Sequence, residues 1–326
     1  MILITGGAGF IGSNLAAALA ERGHSLAVCD RVDGAKAGNL AKLELAALVT
    51  PEQLADFLED DGGRLTAVVH LGAISSTTET DEDKLRRTNV EMSQALWRFC
   101  VRTRLPFLYA SSAATYGDGA QGFDDNPDLA YLRALQPLNP YGRSKNAFDI
   151  WVAEQLAAGA PRPPQWAGLK FFNVYGPNEY HKGPQASVVW HLFRQLQAGD
   201  TVRLFQSHNP AYPDGGQLRD FVWVGDCVAA MLWLLEHPKA GGLLNLGSGR
   251  ARSFNDLAAA LFAALGRAGR IDYVPTPESL RAGYQYFTEA RMERLREIGY
   301  PRALASLEEG VARYVQDYLQ QDDPYR

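Results

Sequence analysis

The N-terminal segment of the chain places a short apolar strand, a glycine-rich turn and a helix in immediate succession. Residues 1–4 are apolar, glycines stand at positions 6, 9 and 12, and strong helix formers follow over residues 13–22. Such a turn aims backbone N–H groups and the positive end of a helix at an anion. A second apolar segment ends at Asp30, about 20 residues further on, where a carboxylate can hold a ribose hydroxyl. The pattern predicts a turn that binds the pyrophosphate of a dinucleotide.

The three glycines have different predicted tasks. Gly6 allows a tight turn, Gly9 allows the backbone to approach the pyrophosphate, and Gly12 allows the helix to pack closely on the strand. The alternative is a strand-to-helix turn that binds no ligand. For a dinucleotide, the predicted contacts at this turn are Gly6, Gly9, Phe10, Ile11 and Gly12.

Composition and charge exclude several classes of function. Of the 326 residues, 46% are apolar and 21% are charged, as in an ordinary globular protein with a substantial core. The formal net charge of −5 provides no basic field for nucleic acid. Cys29, Cys100 and Cys227 are scattered and odd in number, which favours buried thiols in a reducing cytosol. With no metal-ligand spacing, signal peptide or membrane-length apolar run, we expect a cytoplasmic protein without a metal or a membrane partner.

Strand and helix patterns alternate through the first half of the chain. This alternation predicts an α/β fold with a Rossmann doubly wound parallel sheet. The second helix is expected to follow a Thr50 cap and Pro51, and residues 117–140 are expected to form a loop. The predicted strands are 1–4, 25–30, 43–49, 65–71, 106–111 and 169–172, and the predicted helices are 13–22, 52–60, 83–103 and 141–158.

In the second half, strand segments become short and loops become rich in Gly, Pro, Asn and Asp. We interpret residues 173–216 and 248–326 as a smaller α/β carboxy-terminal substrate domain. Around residues 217–247 the chain returns to the dinucleotide domain of residues 1–172. The residues after Gln320 are expected to fray. Helices are predicted at 188–198, 224–236, 254–265 and 305–320.

Tyr141 and Lys145 stand four residues apart near the start of a predicted helix, so both side chains leave the same face. A neighbouring ammonium and a positive nicotinamide ring lower the pKa of the tyrosine. The phenolate can then take a proton from an alcohol as hydride leaves for the cofactor. Ser112, which follows the strand over residues 106–111, is placed to hydrogen-bond the same substrate oxygen. A Tyr-x-x-x-Lys pair alone is common among surface residues, but downstream of the glycine turn it predicts a catalytic site.

The glycine turn, Ser112, the Tyr141 and Lys145 pair and the segment 219–226 together resemble the extended short-chain dehydrogenase/reductase superfamily. That resemblance implies a Rossmann domain with a smaller substrate domain, and activity on nucleotide sugars. Longer segments resemble the ADP-L-glycero-D-manno-heptose 6-epimerase family over essentially the whole chain. The segments that carry this resemblance are 75–79, 107–117, 172–177, 181–183, 245–249 and 284–288.

The closer resemblance implies a reaction and a set of roles. The family inverts carbon six of an ADP-linked heptose of the lipopolysaccharide inner core, through a transient ketone, with a tightly held NADP. Tyr141 matches one family base and Lys182 matches the second, while Lys145 would orient the nicotinamide ribose. The alternative for Lys182 is a solvated loop lysine. The resemblance also implies a homo-oligomer, with a pentamer as the expected form.

The choice between NADP and NAD stays open at this point. Asp30 favours the ribose hydroxyl of NAD, whereas Arg31 and Lys36 on the following turn can pair with the 2′-phosphate of NADP. Lys36 matches a family lysine that does so, but Pro51 stands where the family has a further lysine. We favour NADP. The other expected cofactor contacts are Leu71, Gly72, Ala73, Ser75, Asn89 and Val174.

Substrate contacts follow from the same resemblance. The guanidinium of Arg219 suits a diphosphate, and its alternative role is a structural ion pair with a carboxylate. Two departures from the family are Pro184, in place of a serine, and a longer loop over residues 207–217. The residues expected to hold the ADP-sugar are Ser112, Asn173, His191, Arg219 and Tyr284, with Phe205, Gln206, Ser207 and His208 at the nucleotide end.

Other activities share this fold. A 4,6-dehydratase carries an Asp-Glu pair after the serine, where this chain has Ala113 and Ala114, so elimination of water lacks its acid and base. A sugar 4-epimerase or reductase has no evident use for Lys182. A non-catalytic, NADP-binding regulatory protein typically loses the tyrosine or the lysine, and both Tyr141 and Lys145 are present.

Overall fold

The structure is a computed structural model that describes residues 1–281 and 284–326. Its strands are β1 (Ile2–Thr5), β2 (Leu26–Cys29), β3 (Ala47–Val49), β4 (Ala67–His70), β5 (Phe107–Ser112), β6 (Trp166–Phe171), β7 (Asn173–Tyr175), β8 (Thr201–Phe205), β9 (Leu218–Trp223), β10 (Gly242–Leu246), β11 (Ala251–Ser253) and β12 (Arg270–Val274).

Seven of these strands form a central sheet in the order β10-β6-β5-β4-β1-β2-β3, and all of its pairings are parallel. Strands β1, β2 and β4 are buried along their whole length, as expected for apolar strands covered on both faces. The chain order reverses beside β1, so the carboxyl end of β1 opens at the position where doubly wound sheets bind ligands. The predicted fold class is therefore confirmed.

The helices also follow the predicted alternation. A π-helical stretch over Arg86–Glu91 joins α4 to α5, so the single helix predicted at 83–103 is interrupted. The α-helices are α1 (Phe10–Ala20), α2 (Gly34–Ala37), α3 (Leu54–Asp60), α4 (Glu82–Leu85), α5 (Met92–Thr103), α6 (Leu129–Ala134), α7 (Pro140–Ala157), α8 (Val188–Ala198), α9 (Val224–Glu236), α10 (Phe254–Ala264), α11 (Glu278–Arg281), α12 (Glu293–Glu297) and α13 (Leu307–Tyr314).

Two local predictions were wrong. Helix α3 begins at Leu54 without a Thr50 cap, because the Thr50 N–H donates to the Gln53 side chain (2.9 Å) and the intervening residues form a turn. The predicted loop over residues 117–140 contains α6, because the Asp128 carboxylate caps this helix by accepting from two of its first backbone N–H groups. An aspartate cap can start a short helix within a polar segment.

The expectation that the chain frays after Gln320 was also wrong. Lys42 donates to the carbonyl of Tyr325 (2.6 Å) and pairs with Asp323 (2.8 Å), and Tyr180 donates to the carbonyl of Pro324 (2.7 Å). A terminal segment stays ordered when such contacts tie it down.

The second half adds two small sheets, β11-β9-β7 and β12-β8. Helices α8, α10 and α13 pack with these strands in a second apolar cluster, distinct from the one beneath the central sheet. Ile11 and Val174 contact both clusters, so the glycine turn and β7 lie where the two parts of the fold meet. Within the described residues, no helix has the length and apolar character needed to cross a membrane.

Candidate active site

The glycine turn has little space for side chains at two of its three glycines. Gly6 has φ +68°, and a Cβ there would lie 2.6 Å from the Gly72 nitrogen. A Cβ on Gly12 would lie 2.2 Å from the Gly6 carbonyl oxygen. Gly9 stands directly before the first residue of α1 as its N-cap. The turn is therefore a bare backbone cradle at a helix N-terminus, which fits the pyrophosphate of a dinucleotide.

Asp30 joins this cradle to the segment after β2. Its carboxylate accepts from the Ala8 N–H (3.0 Å) and the Arg31 N–H (2.7 Å), and it pairs with the Lys36 ammonium (2.9 Å). Arg31 pairs at the surface with Glu52. The two cations predicted to bind a 2′-phosphate therefore each have a carboxylate partner. Lys36 pairs with Asp30, and Arg31 pairs with Glu52.

A buried polar network supports the turn that follows β4. His70 contacts the hydroxyls of Thr5 (2.6 Å) and Ser93 (2.8 Å) through its two ring nitrogens. Burial lowers the pKa of His70 to about 3, so the ring is neutral. Gly72 donates its N–H to the Thr5 hydroxyl (3.1 Å). This network fixes Leu71 and Gly72 against the glycine turn.

Asn89 supports the same region and is fully buried. Its amide accepts from the Ile74 N–H (2.9 Å) and donates to the Ile74 carbonyl (3.0 Å) and to the Ser144 hydroxyl (2.9 Å). Because Ser144 lies in α7, Asn89 connects the turn near Ala73 and Ser75 to the helix of the Tyr-x-x-x-Lys pair.

Helix α7 presents Tyr141 in its first turn. The Asn139 side chain caps the helix by accepting from the Gly142 N–H (2.8 Å), and Pro140 stands at the first helical position. Burial raises the pKa of Tyr141, and hydrogen bonding to Ser112 opposes that rise. The structure therefore brings Ser112 to Tyr141, as the sequence predicts.

Lys145 lies one helical turn after Tyr141 in α7. Its ammonium donates to the Ala110 carbonyl at the carboxyl end of β5 (2.9 Å). Burial lowers the pKa of Lys145 to about 8, and the Asp149 carboxylate opposes that change.

Asp149 belongs to a buried cluster that the sequence analysis missed. Its carboxylate accepts from Ser111 (2.6 Å), Tyr109 (3.1 Å) and the Lys170 ammonium (2.7 Å), and the Asp149 and Lys170 side chains are 0% exposed. Asp149 follows Lys145 by one helical turn, so the sequence spacing could have predicted that Asp149 lies on the inner face of α7. The cluster fixes α7 to β5 and β6.

Lys182 lies in a short 3-10 segment, Tyr180–Gln185. Its ammonium is 5.2 Å from the centroid of the Phe10 ring in the glycine turn. Burial lowers the pKa of Lys182, and the buried Glu179 carboxylate opposes that change. A half-buried lysine packed on an aromatic ring differs from the freely solvated loop lysine that was the alternative.

A cavity of about 250 Å³ joins Lys182 to the second half of the fold. Asn173 and Val174 line it beside Lys182, and Phe254 lines its other side. The cavity lies just beyond β6, whose Phe171 is paired in register with Ser112 of β5. Phe172, the next residue, lines the cavity, so the cavity lies beside the end of the strand that pairs with the strand of Ser112.

Arg219 is a nearly buried cation, 8% exposed. Its guanidinium lies 5.7 Å from the ring centroid of Phe254 and 5.3 Å from that of Tyr284, and it donates to the Leu218 carbonyl (2.8 Å). In residues 1–281 and 284–326, no carboxylate oxygen lies within the 4.0 Å of an ion pair with Arg219. The ion-pair alternative finds no support in these residues, and the guanidinium is of the kind that binds a diphosphate through paired N–H donors.

The remaining predicted substrate residues lie in two separate places. His191 is near the Pro184 carbonyl (3.3 Å), one turn into α8. Phe205, Gln206 and Ser207 are half-buried and His208 is exposed at the end of β8. The longer loop that follows is closed by Asp214, which accepts from the Ser207 N–H (2.8 Å), and by the His208 N–H, which donates to Tyr286 (2.9 Å).

Comparison with known proteins identifies close relatives. The model of the NAD dependent epimerase/dehydratase family matches residues 2–247. The ADP-L-glycero-D-manno-heptose-6-epimerase of Fusobacterium nucleatum is 43% identical over 335 aligned residues and that of Nitratidesulfovibrio vulgaris is 45% identical over 329, covering 100% of each chain. The crystal structure of the Helicobacter pylori ADP-L-glycero-D-manno-heptose-6-epimerase is similar with a TM-score of 0.78 and 28% identity, over 97% of this chain and 95% of that one.

Proposed function

The chain belongs to the ADP-L-glycero-D-manno-heptose-6-epimerase family, within the NAD dependent epimerase/dehydratase family, and on that premise we propose the reaction that it performs. It interconverts ADP-D-glycero- and ADP-L-glycero-D-manno-heptose by inverting carbon six, for the heptose of the lipopolysaccharide inner core. The observation that carries this proposal is the position of Lys182. Its ammonium packs on Phe10 of the glycine turn and lines a cavity with Asn173 and Val174, so a second proton-handling group faces the dinucleotide cradle.

The residues at the cradle fit a nicotinamide dinucleotide, and we propose NADP. The bare backbone at Gly6 and the helix start at Gly9 suit the pyrophosphate. Lys36 and Arg31 would hold the 2′-phosphate. At present Lys36 pairs with the Asp30 carboxylate and Arg31 with Glu52, so both cations would exchange these partners for the phosphate. A dinucleotide held by these residues would supply reversible hydride transfer at carbon six of the sugar.

Inversion at carbon six needs proton transfer on two faces. Tyr141, beside Ser112, would take the proton of the carbon-six hydroxyl on one face as hydride leaves carbon six. The resulting ketone is exocyclic and can rotate about its bond to the ring while the ADP stays bound. Lys182 would supply or take the proton on the other face, and burial lowers its pKa below the ordinary value of a lysine. Lys145, bonded to the Ala110 carbonyl, would orient the ribose.

The ADP group would be held in the second half of the fold. Arg219 between Phe254 and Tyr284 would bind the diphosphate bidentately. Asn173 and His191 would contact the sugar side. On this proposal residues 173–216 and 248–326 act as the substrate-binding part, and the protein assembles as a homo-oligomer as the family resemblance implies.

The direct test is conversion of a defined substrate. Purified protein is incubated with ADP-D-glycero-D-manno-heptose, and the isomers are separated by anion-exchange chromatography. We expect a mixture of both isomers without added cofactor. No conversion, with turnover of a UDP- or GDP-hexose instead, would reassign the substrate. The mass of the cofactor released by denaturation distinguishes NADP from NAD, because the two differ by one phosphate.

A further inference from the structure

The segment 322–326 lies across the joint between the loop that carries Lys36 and the loop that carries Lys182. We call this segment the strap. Most of its contacts are with two short segments on the cofactor side of the fold, which extend from Gly38 to Lys42 and from Asn178 to Tyr180. Arg326 also pairs with Glu21, just after α1 (3.3 Å).

The first set of contacts joins the strap to the loop after α2. Gly38 follows Lys36 by two residues, and a Cβ placed on Gly38 would lie 2.5 Å from Cζ of the Tyr325 ring. The ring thus fills the space where a side chain at position 38 would lie. Lys42 donates to the Tyr325 carbonyl (2.6 Å) and pairs with Asp323 (2.8 Å).

The second set joins the strap to the loop before Lys182. The Tyr180 hydroxyl donates to the Pro324 carbonyl (2.7 Å), and the Tyr180 ring meets the Tyr325 ring edge-on at 5.3 Å between centroids. The Arg326 N–H donates to the Asn178 side chain (3.0 Å). Edge-to-face aromatic pairs add stability beyond the area they bury.

Both loops are also joined to the glycine turn. The Asn39 side chain donates to the carbonyls of Ala8 (2.9 Å) and Asn178 (3.0 Å), and it lies 3.3 Å from the His181 ring nitrogen. Asn39 therefore joins three segments that would surround the cofactor: the glycine turn, the loop after α2 and the loop before Lys182. The strap covers this junction on its outer side.

We propose that the strap is a positioning element for the cofactor site and for the second proton-transfer group, with Tyr325 as its principal positioning residue. The inference rests on the proposed function, since it assigns the strap's effect to Lys182 and to the dinucleotide. Without the strap, the two loops have fewer contacts and open more often. Cofactor would dissociate faster, and Lys182 would spend less time in its productive position.

A double-mutant cycle tests the contact between the Tyr325 ring and Gly38. Tyr325→Ala removes the ring, and Gly38→Ala inserts a methyl group into the space of the ring, at a φ of −59° that alanine adopts without strain. We expect each single variant to lose bound NADP on gel filtration and to lower kcat at least about tenfold, with KM for the sugar nearly unchanged. In the Tyr325→Ala background, Gly38→Ala should add no further loss. Tyr325→Phe, which keeps the ring, should retain wild-type cofactor content and kcat.

The outcomes separate the strap from the proposed function. Additive losses in the double variant, or a fall in Tm and a rise in KM that parallel the loss of kcat, would mean a general structural effect and would overturn the proposal. If wild-type protein converts ADP-heptose and Tyr325→Ala retains wild-type cofactor content and kcat, the proposed role of the strap is overturned. The proposed function is then unaffected. If wild type does not convert ADP-heptose, loss of NADP from Tyr325→Ala still supports the strap, and retention overturns it.

Discussion

The two proposed proton-transfer groups are supported by structural elements of different kinds. Tyr141 lies in the first turn of α7, an 18-residue helix with an asparagine cap and a buried ion pair on its inner face. Lys182 lies in a six-residue 3-10 segment that contains Pro184 and a glycine with φ +54°. The first support is a long helix fixed to the sheet by the buried pair of Asp149 and Lys170, whereas the second is a short segment held by contacts with the glycine turn, the loop after α2 and the C-terminal strap. We infer that the loop side is where the activity of this site is most easily altered.

Replacement of Tyr141 should have the largest effect. Tyr141→Phe keeps the ring in its place but removes the group that moves the proton of the carbon-six hydroxyl. We expect kcat to fall about a thousandfold, as measured by isomer formation. Bound cofactor should stay at the wild-type level, because the phenol does not hold it alone. A variant with more than a tenth of the wild-type rate would remove Tyr141 from the proposed mechanism.

The helix support is tested by Asp149→Asn. This change leaves the Lys170 ammonium buried without a carboxylate, and removing one partner of a buried pair costs about 3 kcal/mol of unfolding free energy. Urea denaturation measures that cost. The double variant Asp149→Asn with Lys170→Met leaves no lone charge and should recover much of the stability. A single variant as stable as wild type would mean that the pair does not support α7.

These two predictions also show what the sequence can reveal. The Tyr141, Lys145 and Asp149 positions follow one helix face, so spacing alone indicates their neighbourhood. The aromatic pair around Arg219 was not predictable from spacing, because Phe254 and Tyr284 reach it from other segments. The strap was not predictable either, since a polar tail with Asp, Asp and Pro is typical of a frayed end. Its order comes from Lys42 and Tyr180, whose role depends on the tertiary fold.

Lys182→Met should lower kcat about a hundredfold while the protein keeps its cofactor and its stability. Methionine retains the apolar stem against Phe10 but cannot transfer a proton. Lys239→Met is the matched control, because Lys239 is an exposed lysine after α9, before the amino end of β10. Full activity in Lys182→Met would contradict the two-base scheme and leave Tyr141 as the single base.

The smallest predicted effect is a shift in the pH dependence of kcat that involves Lys182, the group on the loop side, and leaves Tyr141 unchanged. Glu179 raises the pKa of Lys182 against the lowering by burial, so Glu179→Gln should lower that pKa further. The limb of the kcat profile that reports Lys182 should move to lower pH, whereas the limb that reports Tyr141 should stay. Glutamine can keep the contact with the Ser187 hydroxyl (2.7 Å), but its NH2 group cannot accept from the backbone N–H that the second carboxylate oxygen now binds. Movement of both limbs would show that the two groups titrate together.

The central claim is that carbon six is inverted by removal and return of its own hydrogen, with protons handled by side chains on two faces. The most direct measurement is mass spectrometry of both isomers after wild-type protein acts on substrate deuterated at carbon six in ordinary water. The account predicts that both isomers keep the deuterium. Loss of deuterium to solvent would contradict it, because carbon six would then be inverted by proton exchange.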